Sequence, residues 1–222
     1  MMKKNGFTLA EVLITLAIIG VVATMTLPAL MTNTAEQQAK SALKKCINTL
    51  TEAGQMTQAL DGYDYGSTST TDTSENAQSV FGILSRRAAI DWSKTGTGTG
   101  LAGHTNFVGN SNYTLYFRDG TALTFDKTKT GVGDEEKVIG TDGLPYGIPA
   151  LFDMNGAKGP NMISNCKGTS AGIGSTEEDS TTTDHNTQCS RTQRVIKDQI
   201  GVRLRGTFAV PNGAAARWAF DN

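Results

Sequence analysis

Histidine and cysteine are scarce in this chain. Two histidines, His104 and His185, and three cysteines, Cys46, Cys166 and Cys189, are spread over 222 residues. That is too few thiols for a disulfide scaffold, and their spacing fits no zinc ribbon. Cys166, His185 and Cys189 include a His-x-x-x-Cys step, but its surroundings, TTTDHNTQC, do not read as helix. A fourth ligand is missing as well, so structural zinc is not expected. Nucleophile and phosphate motifs are also lacking: there is no G-x-S-x-G, H-E-x-x-H or P-loop. The acidic runs Asp134-Glu135-Glu136 and Glu177-Glu178-Asp179 read as solvated loops. Gly98 to Gly103 (GTGLAG) fits the letters of a dinucleotide fingerprint, but the preceding DWSKT is no apolar strand, so it reads as a loop. With no catalytic constellation, an enzyme is not expected. An excess of charge of one sign is absent too. Lys and Arg number 20 against 21 Asp and Glu, a net charge of −1, which gives no electrostatic footprint for nucleic acid.

What the chain does have is glycine, at 25 residues, and one long apolar run. Hydrophobic content of 38% with loop-like Gly, Ser and Thr stretches predicts one globular domain of modest core plus an appendage. The appendage is N-terminal. Lys3 and Lys4 precede NGFTLAEVLITLAIIGVVATMTLPALM, and the run from Val12 to Met31 carries no formal charge. At ~1.5 Å per residue it matches a hydrocarbon layer of ~30 Å. No A-x-A cleavage site follows Met31, so the segment reads as a retained membrane helix. The two lysines place its N-terminus in the cytoplasm and residues 32–222 outside. Glu11 is the anomaly, because a carboxylate in a spanning helix costs ~2.5–3.5 kcal/mol unless it has a partner or reaches the interface.

Lys-Asn-Gly-Phe-Thr-Leu-Ala-Glu, followed by an apolar run and Pro28, resembles the leader and mature start of type IV pilins and type II secretion pseudopilins. The resemblance implies a leader over 1–6, a transmembrane and filament-core helix over 7–31, and an extracytoplasmic domain over 32–222. It implies cleavage by prepilin peptidase between Gly6 and Phe7, and N-methylation of the new terminus at Phe7. Glu11 matches the family's glutamate, which pairs with the terminal amine of a neighbouring subunit, and Pro28 matches the proline where family helices kink or locally melt. The implied partners are prepilin peptidase, other pilin or pseudopilin subunits, the inner-membrane assembly platform and the cytoplasmic membrane. The implied role is a structural subunit of a pilus-like filament or secretion pseudopilus in the bacterial cytoplasmic membrane, then on the periplasmic or cell-surface filament.

Proline in a helix interior costs ~3 kcal/mol, which predicts a kink or loosened turn near Thr24. Beyond it, Ala39, Leu43, Cys46, Leu50, Ala53, Thr57 and Leu60, with Ile47 beside them, recur in steps of four and three. This predicts an amphipathic helix ending near Gly62, its stripe packed on the chain's own sheet and Cys46 a buried small hydrophobe. Residues 66–76 read as a mobile loop, and Ala77 to Trp92 as a second helix with Val80, Phe81, Leu84, Ala88 and Trp92 on one face. Tyr113–Phe117 and Thr121–Phe125 form the best hairpin, joined by Arg118-Asp119-Gly120. Lys127 to Lys137 reads as exposed. Ile148–Met154, Val202–Val210 and Ala214–Phe220 read as further strands, the last two parted by a Pro211-Asn212-Gly213 turn. The sum is an α+β domain with the long helix on one sheet face, which is also what the pilin resemblance implies.

Two further features bear on function. Phe152 to Asn161 (FDMNGAKGPN) resembles an element of bacterial pilin-like secretion proteins, and some major pseudopilins hold calcium in a loop of this domain. Oxygen ligands at Asp153, Asn155 and Asn161 suit a hard cation. However, the aspartate that commonly follows is replaced by Met162 to Cys166 (MISNC), and a plain Asx turn is the favoured reading. Many pilins carry a disulfide-bounded loop near the C-terminus, and Cys166–Cys189 is similar in position. An alternative role, DNA uptake or adhesion on such a filament, draws on the basic cluster Arg191, Arg194, Lys197, Arg203 and Arg205, extended by Arg217-Trp218. Dispersal of these residues on strands is the favoured reading, and nucleic acid is not an expected partner.

Overall fold

The computed structural model describes residues 6–93, 95–97, 112–131, 147–156, 158–159, 161–166 and 194–221. It divides into two units, 1–38 and 39–222. The first unit holds the opening part of helix α1 (Leu9–Asp61). Among the described residues, Leu9–Leu27 is the one helical stretch long and apolar enough to cross a membrane, and none of it is buried within the chain. The helix runs through Thr24 and Pro28 without a break. The loosened turn expected there is therefore not seen in the single chain. Thr24 and Thr26 in the preceding turn bond their hydroxyls to the carbonyls of Val21 and Val22, at 2.8 and 3.0 Å.

In the second unit, residues 39–61 of α1 lie on a six-stranded antiparallel sheet. Its strands are β1 (Gly96–Thr97), β2 (Asn112–Tyr116), β3 (Ala122–Asp126), β4 (Ile148–Asp153), β7 (Gln199–Arg205) and β8 (Phe208–Pro211), in the order β1-β2-β3-β4-β7-β8. A small ribbon pairs β5 (Asn165–Cys166) with β6 (Arg194–Val195). The amphipathic stripe explains the packing. Ala39, Leu43, Cys46, Ile47, Leu50 and Ala53 share one cluster with Leu115, Leu123, Phe125, Ile148, Ala150, Phe152, Ile200, Val202 and Leu204. In β4 and β7 these are alternate residues, as the period of a strand requires. Thr57 is buried by bonding its hydroxyl to the Ala53 carbonyl at 2.9 Å, but Leu60 is 70% exposed and lies outside the core. The helix stops at Gly62, whose φ of +78° suits a residue without Cβ. A Cβ on Gly54 would lie 2.7 Å from the Thr207 carbonyl oxygen, so the helix approaches the β7–β8 turn at backbone contact.

Several elements differ from expectation. The second helix, α2, is only Val80–Arg87: Ser79 caps it by accepting from the Gly82 N–H, and Ala88 is extended. Trp92 lies beyond it, 47% exposed, against the Phe81 ring at 5.9 Å between centroids. Residues 66–76 are tied down by hydrogen bonds, including the Ser69 N–H to the Gln78 carbonyl and the Gly131 N–H to the Thr68 hydroxyl. In the stretch Lys127–Lys137, read as exposed, Thr128 and Lys129 are exposed and Gly131 is buried, while residues 132–137 lie outside the described residues. The single strand expected over Val202–Val210 is two, because Gly206-Thr207 turns between Arg205 and its register partner Phe208. Ala214–Asp221 is a helix, α3, where a strand was expected. It begins just past Asn212, and Ala216 and Ala219 join the main core while Ala215 packs near Leu151.

Candidate functional site

Two groups of residues stand out, one in each unit. In the first, helix α1 starts immediately after Thr8, and Thr8 and Glu11 close on each other. The Glu11 carboxylate accepts from the Thr8 N–H at 2.9 Å and from the Thr8 hydroxyl at 2.8 Å. The Glu11 N–H donates to the Thr8 hydroxyl oxygen at 3.3 Å. This is a capping box, in which an N-cap Thr and a Glu three residues on satisfy each other's backbone donors. Thr-Leu-Ala-Glu is its sequence signature, so the contact is encoded locally. Within one chain, then, the carboxylate placed in the apolar segment has a local partner. Phe7 is 89% exposed and Gly6 has open space around it, so the Gly6–Phe7 bond is unobstructed by the fold.

In the second unit, the end of β4 and the start of β7 hold two buried carboxylates, Asp153 and Asp198. The Asp153 Oδ1 accepts from the Asn155 N–H at 3.0 Å, the Asx turn that Asp-x-Asn-Gly encodes. Gly156 adopts φ +64° to complete it, and a Cβ there would strike the Gly120 carbonyl oxygen at 2.5 Å. The Asp153 Oδ2 accepts from Gln199 Nε2 at 2.9 Å. Asp198 accepts from Asn155 Nδ2 at 3.2 Å, from the Asn161 N–H at 2.7 Å and from the Met162 N–H at 2.9 Å. Asn161 sits at φ +50°, a left-handed turn that Asn tolerates. Burial raises the Asp153 carboxyl to about 6 against the opposing hydrogen bonds from Gln199 and Asn155, and the neighbouring Asp198 adds to the rise.

The fold thus brings Asp153, Asn155 and Asn161 together, and adds two residues that motif reading missed, Asp198 and Gln199. Their register explains the omission: Asp153 faces Gln199 across β4 and β7, far apart in sequence. Asn155 Oδ1 and Gln199 Oε1 are buried with no hydrogen-bond partner. An all-oxygen donor set with such idle oxygens fits a hard cation. No group of three or more His, Cys, Asp or Glu side chains occurs among the described residues, so the site carries two formal charges.

The remaining expected sites divide. Cys46 is buried in the core, and burial pushes its thiol well above the usual range, which fits an inert hydrophobe. Cys166 lies on β5 but Cys189 falls outside the described residues, as do His104, His185, Arg191, both acidic runs and Gly98–Gly103. Of the basic cluster, Lys197 and Arg217 are half-buried and Arg191 lies outside the described residues. Arg203 and Arg205, on β7, are 4% and 8% exposed, so these two offer little surface to a partner.

Against known proteins, the chain matches the prokaryotic N-terminal methylation motif over residues 1–27, the prepilin-type cleavage and methylation signature of type IV pilins and pseudopilins. The match implies processing by prepilin peptidase and assembly with other pilin subunits. No curated protein and no solved structure matches the chain.

Proposed function

We propose that this protein is a structural subunit of a type IV pilus-like filament or type II secretion pseudopilus. The observation that carries the reading is the register of four features. A methylation motif, an open Gly6–Phe7 bond, Glu11 at the first turn and an apolar helix left unburied among the described residues are what a cleaved, membrane-stored and then polymerised subunit needs. Prepilin peptidase cuts between Gly6 and Phe7 and methylates Phe7. Residues 32–222 then face away from the cytoplasm, and extraction from the membrane onto the assembly platform buries the Leu9–Leu27 surface against sister helices. At that step Glu11 exchanges its Thr8 contacts, which are charged on the carboxylate side alone, for a neighbour's terminal amine, in which both partners are charged. Pro28 has no N–H, so it weakens the ladder where the packed helix must loosen. Glu11→Ala is expected to leave processing intact and to abolish incorporation into sheared filaments beside wild-type subunits; normal incorporation would contradict the exchange.

The Asp153 group supports a second proposal within the same reading: a calcium-class cation held by Asp153, Asp198 and the idle oxygens of Asn155 and Gln199, with Asn161 closing the loop. Bound charge would offset the burial of two carboxylates that now face each other. The Cys166–Cys189 disulfide is proposed as the closure of the C-terminal loop, contributing ~3 kcal/mol in the chain-entropy model. It predicts a mobility shift on reduction in cells' outer fractions and no free thiol at either residue; two free thiols there would exclude it.

A further inference from the structure

A cavity of about 590 Å³ opens between α1 and the β2–β3 turn, entirely within the second unit. That size lies within the ~300–1,000 Å³ range of small-molecule sites. Ala42, Cys46 and Leu50, on one face of α1, form one wall, and Phe117 and Phe152 face them from the sheet side. The interior is therefore apolar, and its buried thiol adds no charge. Polar groups gather at the rim. Lys45 donates to Asp119 Oδ2 at 2.6 Å, and the other Asp119 oxygen takes both the Thr121 N–H and the Thr121 hydroxyl, at 3.0 and 2.7 Å. Burial alone would raise the Asp119 carboxyl, but the Lys45 and Thr121 hydrogen bonds outweigh it and hold the group below its ordinary value. Asp119 is accordingly an anion with three of its roughly four acceptor sites taken.

Donors, in contrast, are in surplus. The Lys45 side chain is 66% exposed and has one partner for its three N–H groups. Among the described residues, the Arg118 guanidinium makes one long contact, from Nε to the Ile90 carbonyl at 3.4 Å, and the exposed side chain lines the rim. With Lys45 and Arg118 against Asp119, the mouth has a formal excess of one positive charge over an apolar interior. We propose that this cavity is a binding site for a small organic carboxylate with an apolar body. The body packs against Ala42, Ala89 and Phe117, the apolar lining that keeps accessible surface, and the carboxylate is gripped by the Arg118 fork with help from Lys45. A cation meets the net positive charge of that rim instead, and a neutral analogue forgoes the charge-assisted bond.

Full-length protein in lipid nanodiscs, titrated with hexanoate and followed by saturation-transfer NMR, tests this. Saturable binding is expected, weakened about tenfold in Arg118→Gln through loss of a charge-assisted bond, and absent in Ala42→Phe, which fills the cavity. Hexylamine should show no saturable binding. Hexanoate binding unchanged in Arg118→Gln, or hexylamine binding as well as hexanoate, would overturn the proposal. Arg118 is on the surface, so its variant decides the matter even if Ala42→Phe fails to fold.

Discussion

Glu11 has two possible duties, capping its own helix and pairing with a neighbour, and chemistry separates them. Glutamine fills the third position of a capping box as well as glutamate does, but it carries no charge. If capping were the whole role, Glu11→Gln would polymerise normally. The exchange model predicts instead that Glu11→Gln fails to enter filaments, as Glu11→Ala does, while Thr8→Val costs only about 1 kcal/mol of helix start and still assembles. Incorporation measured in sheared filament fractions distinguishes them. Asp153 gives a second residue-scale test. Its carboxyl is raised to about 6 in the fold, so between the ordinary carboxylate value and 6 the folded state holds more proton than the unfolded. Stability therefore falls as pH rises through that window. Calcium that binds the charged pair should raise the melting temperature more at pH 7 than at pH 5, and lose this effect in Asp198→Asn. An equal calcium shift at both pH values, or none, would count against the cation proposal.

Among the elements, the long helix was legible because its periodicity runs over many turns and a stripe at 3.6 residues leaves little choice of face. The stripe ended one turn early. Leu60 keeps the spacing but lies past the sheet, so burial stopped before the pattern did. This predicts that Leu50→Ala loses about 2–5 kcal/mol while Leu60→Ala stays within about 0.5 kcal/mol of wild type, as read by thermal or urea unfolding. The C-terminal segment was illegible for a different reason. The β-branched and apolar pattern runs on across Arg205-Gly206-Thr207-Phe208, which makes Pro211-Asn212-Gly213 the stronger turn signal and AAARWAF a returning strand by pattern alone. A two-residue turn that begins with glycine already closes the hairpin. The alanine-rich stretch after it is free to follow its helix propensity. The Asp153 turn was legible locally, since Asp-x-Asn-Gly encodes it, whereas Asp198 and Gln199 reach it only through strand register. That is information no local motif contains.

At the scale of the whole molecule, the chain joins a motif that specifies processing to an α+β unit whose core is built by its own helix stripe. The methylation motif covers 27 of the residues, and the rest carries the features that would distinguish one subunit from another: the Asp153–Asp198 group, the Lys45–Asp119 cavity rim and the Cys166–Cys189 loop. None of these is needed for the central claim, which is that the protein is made as a precursor and matured at one bond. The direct measurement is mass spectrometry of the N-terminus from cells with and without prepilin peptidase. The account predicts an N-methylated Phe7 terminus in the first and an uncut chain retaining residues 1–6 in the second. A chain left uncut in both, or one cut beyond Met31, would contradict it.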